Sequence, residues 1–457
     1  MITIDFNKNS PLFLQIYLSI KEEIIKGNLK PDSPLPSKRN LANHLGVSTN
    51  TVSSAYESLV DEGYIYSKER VGFFVSKIDN LLSLKKEDIN ISPPVKKSYT
   101  YDFDLNKNSE FNFPNTNFKK IINDFMKDEN LLNIRSSKGL YPLRKSIASY
   151  LKSSRAIEVD PSSIIVSSGL EYLFQTLLYL LPEDAIFGLE NPGYKDLKTL
   201  LDLNKRKYNF IDIDEEGMNP KKIKKEQILL ITPSHQFPTG SLMPVTRRVE
   251  ILNEVTKRSG YLIEDDYDSE FKYYGRPVPA LKSLDKWDRV IYISNFSKSI
   301  SPTLRVSFMV LPKDLLKKYE ILKPFLNCPV PNLIQGALSR FIDNGYFERH
   351  LNKMRKLYDD RRKFALCLFK EEENFKIIDK KAGLHFILEI STNLSEDQLA
   401  ENLRKKSVNI IPLSKFYEGK PPYKRPRIIL GFGNMSYSKL KDGINLLIEE
   451  SKSKENL

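Results

Sequence analysis

Residue types suited to covalent chemistry cluster around one lysine. Lys298 follows an apolar run at 289–294, with Ser297 directly before it and Arg305 seven residues after it. A lysine amine condenses with an aldehyde to give a Schiff base, and a guanidinium with nearby hydroxyl groups binds phosphate. This combination predicts a site for a phosphorylated aldehyde.

Two further side chains have the types that a phosphorylated pyridine aldehyde requires. Asp265 and Tyr267 follow the apolar run at 261–264, and Lys298 follows the next such run. A carboxylate keeps the ring nitrogen of pyridoxal 5′-phosphate (PLP) protonated, and a hydroxyl donates to the ring oxygen. We therefore expect Asp265, Tyr267 and Lys298 to converge on this cofactor, although 33 residues separate the first from the last.

A phosphate cup and a stacking ring are also predicted. Residues 167–171 connect an apolar run to a helix predicted at 172–181, and N–H groups at a helix start bind phosphate. Tyr194, in the string NPGY at 191–194, is the candidate for the aromatic face that packs on the cofactor ring. The residues predicted to form the loop part of the cup are Ser168, Gly169 and Leu170.

The elements that position these residues are predicted to alternate between helices and short strands. Such a pattern favours a parallel sheet that is covered on both faces, with ligands at the carboxyl ends of the strands. Beyond Leu311 a long helical stretch leads to a smaller α/β unit, with strands expected at 384–388 and 427–431. The apolar runs of strand length before it lie at 163–167, 185–188, 228–232, 261–264 and 290–293.

The first 78 residues have a different pattern, which predicts three helices and a hairpin. The helices begin at Ser10, Ser37 and Ser48, a residue type that caps helix starts. Gly46 makes the tight turn between the second helix and the third, and a hairpin, or wing, is expected over 64–75. This order is typical of a winged helix-turn-helix.

The third helix carries short polar side chains opposite its apolar face. Hydroxyl and amide groups there are suited to base edges in a major groove, and basic residues of the second helix and the wing are suited to phosphates. The residues predicted to contact DNA are Lys38, Arg39, Ser48, Thr49, Asn50, Thr51, Ser53 and Arg70.

The N-terminal string resembles a known family of DNA-binding proteins. LPSKRNLANHLGVSTNTV at 35–52, followed by LVDEG at 59–63, resembles the winged helix of GntR-family regulators over residues 10–76. The family often has arginine where this chain has Thr49, and a Gly-x-Gly wing where this chain has RVG at 70–72. Because of these departures, the operator sequence does not transfer from the family.

The rest of the chain resembles a second family. Residues 101–450 resemble the class I/II aminotransferases of PLP fold type I, and GLYPLR at 139–144 looks like their early Gly-x-x-x-Leu-Arg segment. The resemblance implies that Arg427 binds the carboxylate of the substrate, because a guanidinium can bind a carboxylate with two hydrogen bonds. The residues that it assigns to the Schiff base, the pyridinium nitrogen, the ring oxygen and the phosphate are, in that order, Lys298, Asp265, Tyr267, and Ser297 with Arg305.

One departure from the aminotransferases is informative. HQFPTG at 235–240 stands where they have Asn-Pro-x-Gly, so Phe237 replaces the asparagine that donates to the ring oxygen, and His235 or Gln236 could substitute for it. This string, with EDDYDSEF at 264–271 and the fused winged helix, is similar to the MocR/GabR subfamily of GntR regulators. The resemblance implies an aminotransferase-like effector sensor and head-to-tail dimers.

Composition limits the classes that remain. The 457 residues are enough for two or three domains, and no apolar run is long enough to span a bilayer. The net charge of +13 does not mark the DNA-binding part, because residues 1–80 contain nine basic and nine acidic residues. Cys328, Cys367 and four scattered histidines predict neither a disulfide framework nor a metal site, and they fit the cytoplasm.

The predicted fold class is α/β, with an N-terminal winged helix-turn-helix and a fold type I aminotransferase-like part made of a large and a small domain. The predicted boundaries are 1–78 for the DNA-binding domain, 79–100 for a linker and 101–457 for the effector domain. We hypothesise a cytoplasmic transcription regulator that binds promoter DNA and senses an amino compound through aldimine exchange at Lys298. It would act as a homodimer, and the linker length permits an exchange of domains between protomers.

Two other functions remain open from the sequence. An aminotransferase with an appended helix-turn-helix would use the same cofactor residues, which also fit a residual transamination by the regulator. Phe237 and the winged helix distinguish these functions, because an enzyme needs neither. A regulator that senses PLP itself would need no amine ligand, whereas Arg427 favours a ligand with a carboxylate.

Overall fold

The computed structural model describes residues 10–77, 98–105, 113–127, 136–274 and 278–452, together with Ile4 and Phe6. The chain divides into two compact units, Met1–Lys96 and Lys97–Leu457. Of the linker predicted for 79–100, residues 79–97 lie outside the described residues.

The first unit is a three-helix bundle with a hairpin, which confirms the predicted winged helix-turn-helix. Its elements are α1 (Leu12–Ile25), α2 (Lys38–Leu45), α3 (Thr49–Asp61), β1 (Ile65–Lys68) and β2 (Gly72–Val75). The apolar faces of the three helices share one core, in which Ile20, Leu41 and Val52 are at most 1% exposed. The polar face of α3 is therefore left for solvent or a ligand.

Capping groups set the ends of α2 and α3. Ser37 and Ser48 accept hydrogen bonds from backbone N–H groups three residues further on, at 3.2 and 3.1 Å. Gly46 ends α2 in the left-handed conformation with φ 67°, which turns the chain sharply toward α3. The sequence predicts Ser10 as the cap of α1, but Pro11 takes the N-cap position with an extended ψ of 141°, and no side chain caps the helix.

The second unit is built on an eight-stranded sheet. The strands of its first part are β3 (Tyr101–Asp102), β4 (Ile164–Ser167), β5 (Phe187–Asn191), β6 (Tyr208–Asp214), β7 (Gly217–Met218), β8 (Ile228–Ile231), β9 (Tyr261–Asp266), β10 (Val290–Asn295) and β11 (Ser307–Val310). All but β3 belong to the sheet, in the order β4-β11-β10-β9-β8-β5-β6-β7. Its strands run parallel except for β11 and the edge strand β7.

Helices cover both faces of this sheet, which explains the continuous apolar runs. Leu262 and Ile263 are neighbours on β9, and they belong to hydrophobic clusters on opposite faces. The helices of the unit are α4 (Asn115–Phe125), α5 (Tyr141–Arg155), α6 (Leu170–Leu180), α7 (Asp196–Leu203), α8 (Val245–Lys257), α9 (Lys313–Leu322), α10 (Asn332–Asp343), α11 (Tyr346–Leu368), α12 (Glu396–Lys405) and α13 (Tyr437–Lys452). Among the described residues, no helix is both long and apolar enough to cross a membrane.

A smaller antiparallel sheet forms the last part of the unit. Its elements and a short neighbouring strand are β12 (Phe375–Ile378), β13 (His385–Ile390), β14 (Val408–Asn409), β15 (Ile411–Pro412) and β16 (Arg427–Gly431). The sheet order is β12-β13-β16-β15, while β14 pairs with β3. Leu388, Leu399 and Leu447 are fully buried between this sheet and its helices. The large and small sheets together confirm the predicted α/β fold with two subdomains.

Three strands of the large sheet, β6, β7 and β11, are missing from the sequence prediction. β6 lies next to the edge, so exposed polar side chains interrupt its apolar ones and it forms no continuous apolar run. β11 has only four residues and lies antiparallel between β4 and β10. This short strand matters for the site, because it brings the residues before Ser307 to the end of β4.

Candidate functional sites

The predicted cofactor residues meet at the carboxyl edge of the large sheet. Strand β9 pairs with β10 so that Asp265 lies beside Ile293, five residues before Lys298. Strand β11 pairs with β4 so that Ser307 lies beside Ser167, which brings Arg305 to the loop before α6. Strand pairing therefore collects residues that are far apart in the sequence.

Lys298 lies in a largely buried position. Its Nζ donates a hydrogen bond to the backbone oxygen of Leu105. Burial lowers the pKa of the Lys298 amine, while the carboxylates of Asp268 and Asp104 act in the opposite direction. A lowered pKa increases the fraction of neutral amine, which is the form that attacks an aldehyde.

Asp265 is a buried carboxylate that lacks a cationic partner within the described part of the chain. Side chains alternate along β9, so Asp266, on the other face, pairs with Arg155 at 2.8 Å. Burial and, to a smaller extent, the nearby acids Asp266, Asp268 and Glu190 raise the pKa of Asp265 to about 7. A pyridinium nitrogen is the kind of partner that would offset this cost. The donor set therefore fits PLP.

Tyr267 belongs to a buried hydrogen-bonded group of three side chains. Its hydroxyl lies 3.0 Å from Nδ1 of His235. The same Nδ1 lies 2.9 and 3.0 Å from the two carboxylate oxygens of Asp268. Burial raises the pKa of Tyr267 well above its ordinary value, so the phenol keeps its hydrogen at neutral pH. The sequence analysis did not assign a role to Asp268.

Phe237 occupies the centre of an aromatic cluster. Its ring is edge-on to Tyr194 at 6.1 Å, to Tyr267 at 5.9 Å and to Phe416 at 5.0 Å between centroids. The cluster thus includes Tyr194, the predicted stacking residue. None of the described contacts joins Tyr194 to Lys298. A phenylalanine supplies no hydrogen-bond donor to a ring oxygen.

The side chain of Gln236 is held by hydrogen bonds to its own loop and to the loop after β5. Its Nε2 donates to the backbone oxygens of Pro192 at 2.9 Å and Phe237 at 2.6 Å. Its Oε1 accepts from the Thr239 hydroxyl at 2.6 Å. Of the two candidates to replace the missing asparagine, His235 is the one that contacts Tyr267.

Arg305 lies at the predicted phosphate cup with an unforeseen partner. Its Nη2 lies 3.4 Å from the backbone oxygen of Ser168 and 3.0 Å from Oε2 of Glu171, in the first turn of α6. Gly169 has φ 97°, and a Cβ there would lie 2.3 Å from Nη2, so a glycine is needed for this approach. Leu170 is the first residue of α6. The backbone N–H of Ser297 donates to the Asn295 side chain at 2.9 Å.

We expect Glu171→Gln to strengthen binding of PLP by about threefold to tenfold. Glu171 competes with a phosphate for Arg305 and for the start of α6, and both it and Arg305 are about half exposed, so the effect is moderate. Spectroscopic titration of the cofactor-free protein measures the affinity. Unphosphorylated pyridoxal should show no gain, and neither should Glu158→Gln, which removes the exposed pair with Lys152. An equal gain for pyridoxal would contradict this interpretation.

Arg427, the predicted carboxylate clamp, pairs with Glu389. Its Nε and Nη2 donate to Oε2 of Glu389 at 2.8 and 2.5 Å, and the two residues are direct neighbours on β16 and β13. The guanidinium lies over the Tyr423 ring at 4.6 Å and lines a cleft of about 660 Å³. No described contact joins Arg427 to Lys298, so a ligand carboxylate would have to compete with Glu389.

The predicted DNA-binding residues of the first unit fall into two groups. Lys38 Nζ donates to Ser53 Oγ at 2.7 Å, and the hydroxyls of Ser48 and Thr51 lie 2.8 Å apart at the cap of α3. These four side chains are therefore engaged within the unit. Within residues 10–77, the predicted side chains that are exposed and make no hydrogen bond or ion pair are Arg39, Thr49, Asn50 and Arg70.

Two apolar residues beside α3 escaped the sequence analysis. Leu12 and Phe13, at the start of α1, are 43% and 38% exposed. They line a shallow groove together with Asn50, Thr51 and Ser54. Apolar side chains next to an amide are suited to the methyl group of thymine in a major groove. Their position at a helix start was visible in the sequence, but their proximity to α3 was not.

Comparison with known proteins agrees with this two-part architecture. Residues 101–454 match the family of class I and II aminotransferases, and residues 12–75 match the gntR family of bacterial regulatory proteins. The crystal structure of Pyrococcus horikoshii kynurenine aminotransferase has a TM-score of 0.71 and 24% identity. It covers 79% of this chain and 93% of that chain, and it shows a shared fold.

Two full-length relatives have the same combination of parts. The uncharacterized HTH-type transcriptional regulator YdeL of Bacillus subtilis (strain 168) is 35% identical over 448 residues, which cover 96% of either chain. The probable rhizopine catabolism regulatory protein MocR of Rhizobium meliloti is 30% identical over 470 residues, with coverage of 98% of this chain and 95% of the relative.

These matches define a class of protein, a GntR-type winged helix fused to an aminotransferase-like domain. The chain belongs to the MocR/GabR subfamily of GntR-family transcription regulators. PLP is the cofactor of the aminotransferase family, which confirms the predicted cofactor.

Proposed function

We propose that this regulator binds promoter DNA through α3 and the wing, and that it senses a small amino compound at Lys298. The observation that carries the proposal is the convergence of Lys298, Asp265 and Tyr267 at one sheet edge, where the buried carboxylate of Asp265 has no cationic partner among the described residues. The proposed domains are 1–78 and 101–457, joined by a linker at 79–100. We place the protein in the cytoplasm as a homodimer.

The proposed roles follow from the chemistry of each group. Bound PLP supplies an aldehyde that condenses reversibly with an amine. Lys298 would hold this aldehyde and yield it to an effector amine, and Asp265 would hold the proton of the ring nitrogen. Tyr267 donates to the ring oxygen. The phosphate is held by Arg305, Ser297 and the loop of Ser168, Gly169 and Leu170, while Tyr194 and His235 border the ring.

Effector binding controls DNA binding only if the two arrangements of the dimer bind the effector differently. A tenfold ratio of affinities shifts the balance between them by about 1.4 kcal/mol. We propose that release of the Lys298 tether, and replacement of Glu389 by the effector carboxylate as the partner of Arg427, alter the closure of the two subdomains. Paired winged helices then match direct or inverted half-sites with a different spacing.

One observation favours a second candidate, a regulator that responds to PLP without an amine ligand. Glu389 already neutralises Arg427, so an effector carboxylate would have to displace Glu389 before it could bind there. In that case the occupied and empty cofactor sites would be the two states that differ in affinity for DNA. Residual transamination remains compatible with either candidate, because Lys298, Asp265 and Tyr267 are all present.

Linkage provides the test of the proposed function. We expect at least one amino compound to change the absorbance of the PLP-loaded full-length protein, and the same compound to change its Kd for promoter DNA. The promoter DNA must then change the affinity for that compound by the same factor. A spectral change with unaltered DNA binding would favour an aminotransferase, and a response of DNA binding to PLP alone would favour the second candidate.

A further inference from the structure

The contact between Asp268, His235 and Tyr267 has a hydrogen-bond geometry with only two solutions. One ring nitrogen, Nδ1 of His235, lies within 3.0 Å of both the Asp268 carboxylate and the Tyr267 hydroxyl. If Nδ1 carries the hydrogen, it donates to Asp268 and cannot accept from Tyr267. If Nδ1 is bare, it accepts the hydrogen of Tyr267, and the carboxylate of Asp268 then faces a lone pair.

The surroundings hold this pair in place and keep water away. His235 and Asp268 are each 3% exposed. Gly383, with φ 70°, packs directly on them, and a Cβ there would lie 2.0 Å from Cε1 of His235 and 2.8 Å from Oδ2 of Asp268. A buried carboxylate next to a bare nitrogen would be strongly unfavourable, so the hydrogen belongs on Nδ1.

We propose that Asp268 is a positioning residue, which fixes the hydrogen of His235 on Nδ1 and so leaves the Tyr267 hydroxyl free to donate to the ring oxygen of bound PLP. This inference rests on the proposed binding of the cofactor at Lys298. It also explains how the site works with Phe237 in place of a donor. The Tyr267 hydroxyl then donates to the ring oxygen, whereas a bare Nδ1 of His235 would accept that hydrogen instead.

The test measures the pH midpoint of the absorbance change of the bound cofactor, which reports protonation of the nitrogen joined to Lys298. A donor to the ring oxygen stabilises its negative charge and lowers this midpoint. In Asp268→Ala, Nδ1 of His235 is free to accept from Tyr267, so we expect the midpoint to rise by about one unit, a tenfold change in proton affinity.

Simple electrostatics predicts the opposite sign. The negative charge of Asp268 acts on Lys298 to raise its pKa, so its loss alone would lower the midpoint. Other charged or titratable groups near the cluster are constant in all variants. They are Asp104, Arg155, Glu190, Asp265, Asp266, Lys272, Lys380 and His385.

Two further variants isolate the role of the imidazole. The double change Asp268→Ala with His235→Phe should bring the midpoint back down, because no ring nitrogen remains to capture the Tyr267 hydrogen. In a Tyr267→Phe background, Asp268→Ala should not raise the midpoint at all. A fall or no change in the single variant, or a rise that persists without Tyr267, would overturn the proposal.

A measurement on the wild type covers the case in which Asp268→Ala does not fold. The chain has four histidines, so selective ¹⁵N labelling gives a small set of ring signals. His235 should show a protonated Nδ1, and a bare Nδ1 would overturn the proposal. A wild type that never becomes coloured with PLP would instead refute the cofactor site of the proposed function.

Discussion

Replacing Lys298 with alanine will remove the visible absorbance band that the full-length protein acquires with PLP. The band requires a covalent link between the cofactor aldehyde and an amine, and Lys298 is the residue to which we assign that amine. Burial also lowers the pKa of its amine, which favours the neutral form that attacks an aldehyde. The measurement is an absorbance spectrum after loading with PLP and gel filtration.

A matched control and a rescue separate loss of the link from loss of the fold. Lys317→Ala removes an exposed lysine of α9 whose contact is an ion pair with Asp314 at 3.8 Å, so the band should be unchanged. Addition of methylamine to Lys298→Ala should restore a band, since a free amine can take the place of the side chain. A Lys298→Ala protein with the wild-type band would refute the assignment of this lysine.

The sequence predicted the residues of the cofactor site that follow buried strands. Strands β8, β9 and β10 begin with apolar runs because both of their faces are covered, so the polar residues that end or follow these runs were recognisable. For the same reason Asp265 and Tyr267 could be assigned to one edge before the structure was known. Because the strands are parallel, their carboxyl ends lie at the same edge of the sheet and bring these residues close to Lys298.

The partners of the predicted residues could not be predicted in the same way. Glu389 meets Arg427 across 38 residues of sequence, through the register of β13 with β16, and no local pattern encodes that register. Asp268 meets His235 only because two loops fold over the same edge. Such pairs depend on packing of the whole unit, whereas a strand depends on its own few residues.

The position of Glu171 shows an intermediate case. An acidic residue in the first turn of a helix is a local signal, since the helix dipole stabilises it there. The sequence did not predict β11, the short strand that brings Arg305 close to Glu171. Each of the two predicted anion-binding arginines is therefore already neutralised by a glutamate, and affinity for phosphate or carboxylate depends on that competition.

Substitution of Asn50 will weaken binding to promoter DNA far more than binding to unrelated DNA. Asn50 is exposed near the start of α3, and its amide is suited to two hydrogen bonds with an adenine edge. Loss of such a contact costs about 1–3 kcal/mol, or roughly 5- to 150-fold in Kd. Kd values of the full-length Asn50→Ala protein for promoter and scrambled duplexes, measured at one salt concentration, test this expectation.

Arg39→Ala should behave differently, because a contact with phosphate carries no base preference. We expect weaker binding to both duplexes and a decrease of about 0.9 in the slope of log K against log salt. Lys257→Ala is the matched control, since it removes one positive charge from an exposed pair on α8 of the second unit. If Asn50→Ala and Arg39→Ala together leave promoter binding at the wild-type level, α3 and the start of α2 do not form the DNA-binding face.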